Sequence, residues 1–339
     1  MTQWLERQAT VRDRRGLVRR PLPRDADERF IDLASNDYLG LAADPRLAGA
    51  AAAAASLWGA GATSSRLVAG TTRLHLDLEE ELAMLTGMET ALVFSSGYLA
   101  NIGVLTAVGG PGTLIVADEH CHASMIDGFR LSRSRTESFT HNTVENAGRL
   151  LADRPEPRAL IAVESLYSVL GDEAPLLDLL ALAEEHDAML LIDEAHSLGV
   201  TGRGNFQGRG SVAGTSLAGH PNVIVSATLS KALGSQGGAV LGSPLLREHL
   251  INRARSFIFD TGLAPASAAA ALAAVRILRD EPWRAEAVRS NAAALAAGLG
   301  PALAARGRAI DGAAGAVQSV AMPSAESAWA AAAAARTAG

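Results

Sequence analysis

Cysteine and aromatic residues are scarce in this sequence of 339 residues, which contains one cysteine, Cys121, and 4% aromatic residues. A single cysteine excludes an intramolecular disulfide and is typical of a reducing compartment. No apolar run approaches the roughly 18 residues that a membrane span requires. The arginine-rich stretch 1–20 lacks the apolar core of a secretory signal. We therefore expect a cytoplasmic protein with no membrane partner.

The sequence also lacks long stretches of one charge sign, because acidic and basic residues are mixed along the chain, and the net charge is −6. This balance gives no electrostatic footprint for nucleic acid, and we expect no metal site. The hydrophobic fraction of 48% is enough for a large core and more than one domain. We predict an N-terminal helix and arm over residues 1–45, a large domain over 46–250 and a smaller C-terminal α/β domain over 251–339.

Local signals outside the central part of the chain predict several elements. Residues 4–20 predict a polar helix that Pro21 ends, and residues 29–33 predict a short strand. Leucines spaced three and four residues apart predict an amphipathic helix over 74–87, and a long helix is predicted over 266–280.

Short apolar runs alternate with helical stretches through the middle of the chain. The runs occupy residues 91–94, 114–116, 159–163, 189–192, 223–225 and 238–242. Near-continuous apolar strands that alternate with helices indicate an α/β fold with a mostly parallel, buried sheet and helices on both faces. Such sheets bind ligands at the carboxyl ends of their strands. Polar residues follow those ends here: Ser96, His122, Glu164, Asp193, His196 and Lys231.

Lys231 follows the run 223–225 and is flanked by small residues, hydroxyl side chains and glycines. A lysine partly desolvated in a cleft has a lowered pKa and becomes a nucleophile towards a carbonyl. Glycines on its C-terminal side allow a backbone or a flat ligand to approach closely. An ordinary surface lysine has the same local pattern, so this stretch by itself leaves both interpretations open.

The other polar residues also have two interpretations each. The turn Ser95-Ser96-Gly97-Tyr98 suits a phosphate at a helix start, and it equally suits a plain N-cap. As alternatives to a role in a site, His122 could be a buried core histidine and Asp193 could cap the next helix. Taken together, a lysine, a carboxylate and a phosphate-binding turn are what a pyridoxal phosphate site requires.

Five motifs, in this order and spacing, resemble those of the α-oxoamine synthases, a family of fold-type I pyridoxal-phosphate-dependent enzymes. They are Asn36-Asp37-Tyr38-Leu39-Gly40-Leu41, Ser96-Gly97-Tyr98, His122-Ala123-Ser124, Asp193-Glu194-Ala195-His196 and Thr228-Leu229-Ser230-Lys231. The resemblance extends over essentially the whole chain. It implies a seven-stranded, mostly parallel sheet, pyridoxal 5′-phosphate as cofactor, and a homodimer with the site at the subunit interface.

The resemblance also implies roles for single residues. Lys231 forms the Schiff base with the cofactor and later moves the Cα proton of an amino acid. Asp193 pairs with the pyridinium nitrogen, and His122 stacks on the ring. His196 and Ser168 are similar in place to residues that contact the 3-oxygen of the cofactor.

Further positions are matched to the cofactor pocket and the substrate. Glu164 stands where the family has a pocket acid, and Asn36 and Arg19 are matched to substrate contacts. The phosphate is matched to Ser96, Gly97, Tyr98, Thr228 and, from a partner subunit, Thr261.

The stretches 226–238 and 257–265 most resemble the family member of the biotin pathway. This implies a decarboxylative condensation of L-alanine with a pimeloyl thioester, carried by coenzyme A or by acyl carrier protein. A sibling that uses glycine is the alternative enzyme. Two departures lie beside site residues: Ser197 stands where the family usually has glycine, and Val169-Leu170 replaces its usual pair.

The chain ends at Gly339, a few dozen residues before the family pattern does. The family arginine that holds the amino-acid carboxylate has no match in this sequence. We therefore expect an incomplete small domain, and a chain that binds the cofactor without activity is the non-enzymatic alternative.

Overall fold

The computed structural model describes residues 1–26, 31–311 and 315–338. Seven strands form its central sheet: β1 (Thr90–Phe94), β2 (Thr113–Asp118), β3 (Arg135–Phe139), β4 (Arg158–Glu164), β5 (Ala188–Asp193), β6 (Val223–Thr228) and β7 (Gly238–Gly242). Their order across the sheet is β1-β7-β6-β5-β4-β2-β3. All pairs from β6 to β3 are parallel, whereas β7 is antiparallel to both β1 and β6. The predicted mostly parallel sheet of seven strands is confirmed.

Helices cover both faces of this sheet. The α-helices of the described part of the chain, including some that do not contact the sheet, are α1 (Thr2–Arg14), α2 (Pro45–Trp58), α3 (Arg73–Thr86), α4 (Gly97–Val108), α5 (Ala123–Ser132), α6 (Val144–Ala152), α7 (Leu176–Glu185), α8 (Pro244–Arg253), α9 (Arg255–Ile258), α10 (Pro265–Asp280), α11 (Trp283–Ala304) and α12 (Ala325–Ala338). None of these described helices combines the length and apolarity needed to cross a membrane.

Alternation along the strands divides the core into two layers, because successive side chains of a strand point to opposite faces. In β4, Ile161 and Val163 belong to the core layer that includes residues of α3, α7 and α10, whereas Leu160 and Ala162 belong to the layer that includes residues of α4, α5 and α8. Every residue of β2 and β6 is buried. Apolar faces on both sides explain why these strands have near-continuous apolar sequences.

Two sequence predictions near the N-terminus are wrong. The helix predicted over 4–20 ends at Arg14, because Gly16 has a left-handed φ of 63° and terminates it before the prolines. The strand predicted over 29–33 lies partly outside the described residues, and 31–33 are irregular. There the Asp32 carboxylate accepts hydrogen bonds from the N–H groups of Ala34 and Ser35, a turn that competes with strand pairing.

The predicted domain boundaries stay a prediction. Helix α10, which follows the proposed boundary at 250, packs on α2 and α3 and shares their core through Ala268, Ala271 and Leu278. Its bounds agree closely with the helix predicted over 266–280. Beyond it, β8 (Ile310–Asp311) and β9 (Ser319–Val320) form a separate antiparallel pair.

His141 fastens the loop after β4 to the end of β2. Its Nδ1 lies 2.9 Å from Asp118 Oδ1, and its Nε2 lies 2.8 Å from Asp172 Oδ2. An imidazole that donates from both nitrogens is an imidazolium. Burial lowers the pKa of His141, but the hydrogen bonds with Asp118 and Asp172 outweigh burial and the net pKa is raised. Glu119 also lies beside this residue, because its carboxylate accepts the backbone N–H of His141.

We predict that His141→Gln destabilises the protein in a pH-dependent way. A raised folded-state pKa gives stability that is fully present below the unfolded value of about 6.5 and is lost as pH rises through the folded value. The variant should therefore melt roughly 2 °C below wild type at pH 6 and close to wild type at pH 9. Thermal unfolding at both pH values measures this.

His220→Gln is the matched control, because His220 forms an exposed pair with Glu184 at 3.0 Å. We expect it to change the melting temperature little at either pH. If His141→Gln lowered the melting temperature equally at pH 6 and pH 9, the charged state of His141 would be contradicted.

Candidate active site

A cavity of about 240 Å³ lies at the carboxyl edge of the sheet. Three strand ends meet there side by side, because Asp193 at the end of β5 is aligned with Glu164 on β4 and Ser226 on β6. The sequence-predicted residues that line the cavity are Ser96, Gly97, Tyr98, His122, Glu164, Asp193, His196, Thr228 and Lys231. The parallel topology therefore brings together residues that are far apart in sequence.

A larger cavity, of about 460 Å³, lies between the start of α7 and residues 201–217. Its titratable side chains are Glu173, Asp178 and Arg203, and none of the predicted site residues lines it. It offers no nucleophilic amine, so the smaller cavity is the candidate site.

Lys231 enters the cavity from a tight turn after β6. The turn is closed by the Gly234 N–H, which donates to the Lys231 carbonyl at 2.9 Å. Gly234 has a φ of 58°, and a Cβ there would lie 2.5 Å from the backbone nitrogen of Ala42, so the turn requires glycine. Burial lowers the pKa of Lys231, and the carboxylates of Asp193 and Glu164 partly oppose this shift. A larger share of the amine is thereby neutral and nucleophilic.

A chain of hydrogen bonds connects Lys231 to the N-terminal segment. Lys231 Nζ lies 2.6 Å from His196 Nε2, and His196 Nδ1 lies 2.7 Å from Tyr38 Oη. Tyr38 Oη donates to Asn36 Oδ1 at 3.0 Å. Burial and the nearby Lys231 lower the pKa of His196 to about 3, so the ring is neutral. Because the Tyr38 proton goes to Asn36, His196 donates from Nδ1 and accepts from Lys231 at Nε2.

Asp193 is held in place by two donors. Its Oδ1 accepts the N–H of Ala195 at 2.9 Å, and its Oδ2 accepts from Asn101 Nδ2 at 2.7 Å. Asn101 also donates to Ser124 Oγ at 2.9 Å. Asp193 is 5% exposed, so the carboxylate is nearly enclosed and still able to accept a further donor from the cavity.

The start of α4 supplies backbone donors at the rim. Ser96 caps this helix by accepting the N–H of Leu99 at 3.2 Å, while the amides of Gly97 and Tyr98 belong to a first turn that has no partners within the helix. The turn packs tightly on the sheet, because a Cβ at Gly238 would lie 2.4 Å from the nitrogen of Gly97. The amides and the adjacent Thr228 hydroxyl suit an anion.

Glu164 and Ser168 form one unit on the β4 side. The Ser168 N–H donates to Glu164 Oε2 at 3.0 Å. Burial, reinforced by the neighbouring Asp193, raises the pKa of Glu164 to about 8. Of the two sequence departures, Ser197 is fully buried and lies 2.7 Å from Ser165 through their hydroxyl oxygens, so the fold accommodates it.

Four predicted residues lie outside the cavity lining: Arg19, Asn36, Ser168 and Thr261. Ser168 contacts the lining through its hydrogen bond with Glu164. Arg19 and Asn36 are exposed, and Asn36 reaches the site through Tyr38. Thr261 is exposed and forms an isolated β-bridge with Ser65. Residues that the sequence analysis missed also line the cavity: Asn101, Ser124, Ser226 and Ser230. A signal was available for Asn101, which lies one helical turn after Gly97 and so on the same side of α4.

The residues present fit pyridoxal phosphate. The cavity combines an amine with a lowered pKa, a carboxylate suited to a pyridinium N–H and a helix start suited to a phosphate. It also contains the buried hydroxyl of Ser226, which has no partner in the described part of the chain and is free to bind a ligand. Across the described residues no cluster of histidine, cysteine and acidic side chains is arranged for a metal ion.

The mixed sheet, with its cavity at the carboxyl edge, is the architecture of the fold-type I pyridoxal-phosphate transferases. The chain belongs to the aminotransferase class I and II family, which matches residues 28–337. Pyridoxal phosphate is the cofactor of this family.

Several curated relatives are 8-amino-7-oxononanoate synthases. The enzyme of Mycobacterium sp. (strain JLS) is 52% identical over 293 residues, which are 86% of this chain and 76% of the relative. That of Mycolicibacterium gilvum (strain PYR-GCK) is 50% identical over the same shares of the two chains.

Two solved structures are similar in fold to this chain. A serine palmitoyltransferase variant from S. paucimobilis with bound PLP–myriocin aldimine has a TM-score of 0.80 at 34% identity and covers 87% of this chain and 75% of that chain. The 8-amino-7-oxononanoate synthase from Francisella tularensis has a TM-score of 0.63 at 29% identity and covers 75% of this chain and 70% of that chain.

We predict that the amine of Lys231 titrates below its ordinary pKa of 10.5 in the cofactor-free protein. Lys231 is the only lysine of the sequence, so reductive methylation with ¹³C-formaldehyde labels this residue and the N-terminus alone. The pH dependence of the two NMR signals gives the pKa directly. The same protein unfolded in urea is the control, and an equal lysine pKa in both states would contradict the desolvated amine.

We predict that Glu164→Gln stabilises the cofactor-free protein at high pH. A carboxyl whose folded pKa is raised from 4.5 to about 8 loses stability as pH rises through that window, because the folded state disfavours the ionised form. The variant should match wild type at pH 5 and melt roughly 5 °C higher at pH 8.5. Glu248→Gln, on the exposed face of α8, should change the melting temperature at neither pH. If Glu164→Gln differed from wild type by the same melting temperature at pH 5 and at pH 8.5, the raised pKa of Glu164 would be refuted.

Proposed function

We propose that this chain is a pyridoxal-phosphate-dependent acyltransferase of the 8-amino-7-oxononanoate synthase type. It joins L-alanine to a pimeloyl thioester and releases carbon dioxide, free thiol and 8-amino-7-oxononanoate for biotin biosynthesis. The observation that carries the proposal is the convergence of Lys231 and Asp193 on one cavity beside the start of α4. The choice within the family is supported by relatives of that name at about 50% identity.

In this proposal each residue has a holding role, which is supported by the family resemblance and by the position of the residue in or beside the cavity. Asp193 would hold the pyridine nitrogen, and the amides of Gly97 and Tyr98 would hold the phosphate together with Ser96 and Thr228. By the same resemblance, His122 would contact the cofactor ring, and His196 and Ser168 would contact its 3-oxygen. The bound cofactor supplies an electron sink for a carbanion at the Cα of the amino acid.

Lys231 is the residue that moves the proton. Its lowered pKa makes the neutral amine accessible, and a neutral amine can take a proton from the Cα of the substrate. His196 accepts a hydrogen bond from Nζ and so holds the lysine in one orientation. Tyr38 and Asn36 extend this support. Asn36 and Arg19 are proposed as substrate contacts from the family resemblance.

A homodimer with the site at its interface is part of the proposal. Thr261 does not line the cavity of its own chain, and the apolar side chains near its bridge with Ser65 are exposed: Val68 is 80% and Phe259 is 70% exposed. An exposed apolar patch of this kind suits a partner surface. The proposal also places the enzyme in the cytoplasm, which is supported by the free, buried thiol of Cys121.

We predict thiol release from pimeloyl-coenzyme A that depends on L-alanine. With the cofactor added, L-alanine should give faster release than glycine or L-serine, and Lys231→Ala should lower the rate by about a thousandfold or more. A parallel assay with pimeloyl-acyl carrier protein decides between the two thiol carriers. Lys231→Arg is the matched control, because it keeps the positive charge and still lacks a nucleophilic amine, so it should be equally inactive.

Two outcomes would overturn the assignment. Faster release with glycine or serine would move the protein to a sibling acyltransferase. No release with any amine, although borohydride fixes pyridoxal phosphate on Lys231, would indicate a chain that binds the cofactor without activity.

A further inference from the structure

Asn101 connects Asp193 to Ser124, at the start of α5. Both hydrogens of its amide nitrogen are used, one by Asp193 Oδ2 at 2.7 Å and one by Ser124 Oγ at 2.9 Å. Its Oδ1 is buried and has no partner within the described residues. The reverse amide orientation would place Oδ1 against a carboxylate oxygen, two acceptors in contact. The negative charge of Asp193 therefore fixes how this amide is turned.

The orientation of Asn101 determines what Ser124 donates to. Because Ser124 Oγ accepts from Asn101, its own hydrogen is free for His122 Nδ1, which lies 2.7 Å away. The backbone N–H of Ser124 also donates to His122 Nδ1, at 3.2 Å. A ring nitrogen that accepts from two donors cannot carry a proton, so the proton of the neutral imidazole is on Nε2.

We propose that Asn101 and Ser124 are positioning residues that transmit the charge of Asp193 to His122 and fix its Nε2–H tautomer. The inference deepens the proposed function and rests on it where it concerns the cofactor. A neutral His122 would add no positive charge beside the pyridine ring that Asp193 would hold. With Asn101 in place, the Asp193 carboxylate is held in one orientation by the hydrogen bond to its Oδ2.

Nitrogen-15 NMR of histidine-labelled, cofactor-free protein at pH 8 tests the tautomer directly. The signal of His122 is identified by its loss in His122→Gln. We expect wild type to show the Nε2–H tautomer, with Nδ1 unprotonated. A proton on Nδ1 would overturn the proposal, whatever reaction the protein catalyses.

Variants test whether the hydrogen bonds from Asn101 to Ser124 and from Ser124 to His122, here called the relay, set that tautomer. Asn101→Leu has similar volume and removes both donors, so Ser124 can turn its hydrogen away and the His122 signals should move towards a mixture of tautomers. Ser124→Ala removes the hydroxyl and should shift them in the same direction. Ser124→Thr keeps the hydroxyl and should restore the wild-type signals. If Asn101→Leu fails to fold, the Ser124 pair still decides the matter, and unchanged signals in Ser124→Ala would refute the relay.

Equilibrium binding of pyridoxal phosphate supplies the second readout. Asn101→Leu should weaken binding about tenfold, because Asp193 loses a hydrogen bond made to its charged form. Ser124→Ala should weaken it less, since the contact between Asn101 and Asp193 remains. A larger loss in Ser124→Ala would contradict the order of the relay. If wild type bound no cofactor, the proposed function would fail while the tautomer measurement still stood on its own.

Discussion

The hydrogen bond between Lys231 Nζ and His196 Nε2 is the contact on which the arrangement of the site depends. It joins the turn after β6 to the segment after β5, and through Tyr38 it also ties in the N-terminal motif. The contact requires a neutral ring, because an imidazolium would face the lysine with a second positive charge. Burial supplies that condition by lowering the pKa of His196 to about 3.

Desolvation acts on several ionisable groups in this cavity, and it moves their pKa values in different directions. It lowers the pKa of Lys231 and raises that of Glu164 to about 8, so both shift towards their neutral forms near neutral pH. Asp193 instead is held by two hydrogen-bond donors, the Asn101 amide and the Ala195 N–H. Such a division suits acid–base chemistry in one small volume, since each group has a protonation state set by its own surroundings.

The scaffold makes this possible because parallel strands place their carboxyl ends along one edge. Asp193, Glu164 and Ser226 are neighbours in register, although 62 positions separate the first and last of them in sequence. The loop after β4, which carries Ser168, is fastened from outside the cavity by His141. Family membership, and relatives of the same type at about 50% identity, agree with the function that this geometry supports.

The sequence by itself determined the class of fold and predicted many of the residues that line the candidate cavity. Apolar runs in β2, β4, β5 and β6 are strong signals, because these strands are buried on both faces. Strand β3 (Arg135–Phe139) was missed, since it is an edge strand whose polar side chains are mostly exposed. Only the tertiary structure decided that Asn101 contacts Asp193, because that hydrogen bond joins residues 92 positions apart. The pKa shifts of Lys231 and Glu164 also belong to the fold, because burial, which no local pattern of residues encodes, causes them.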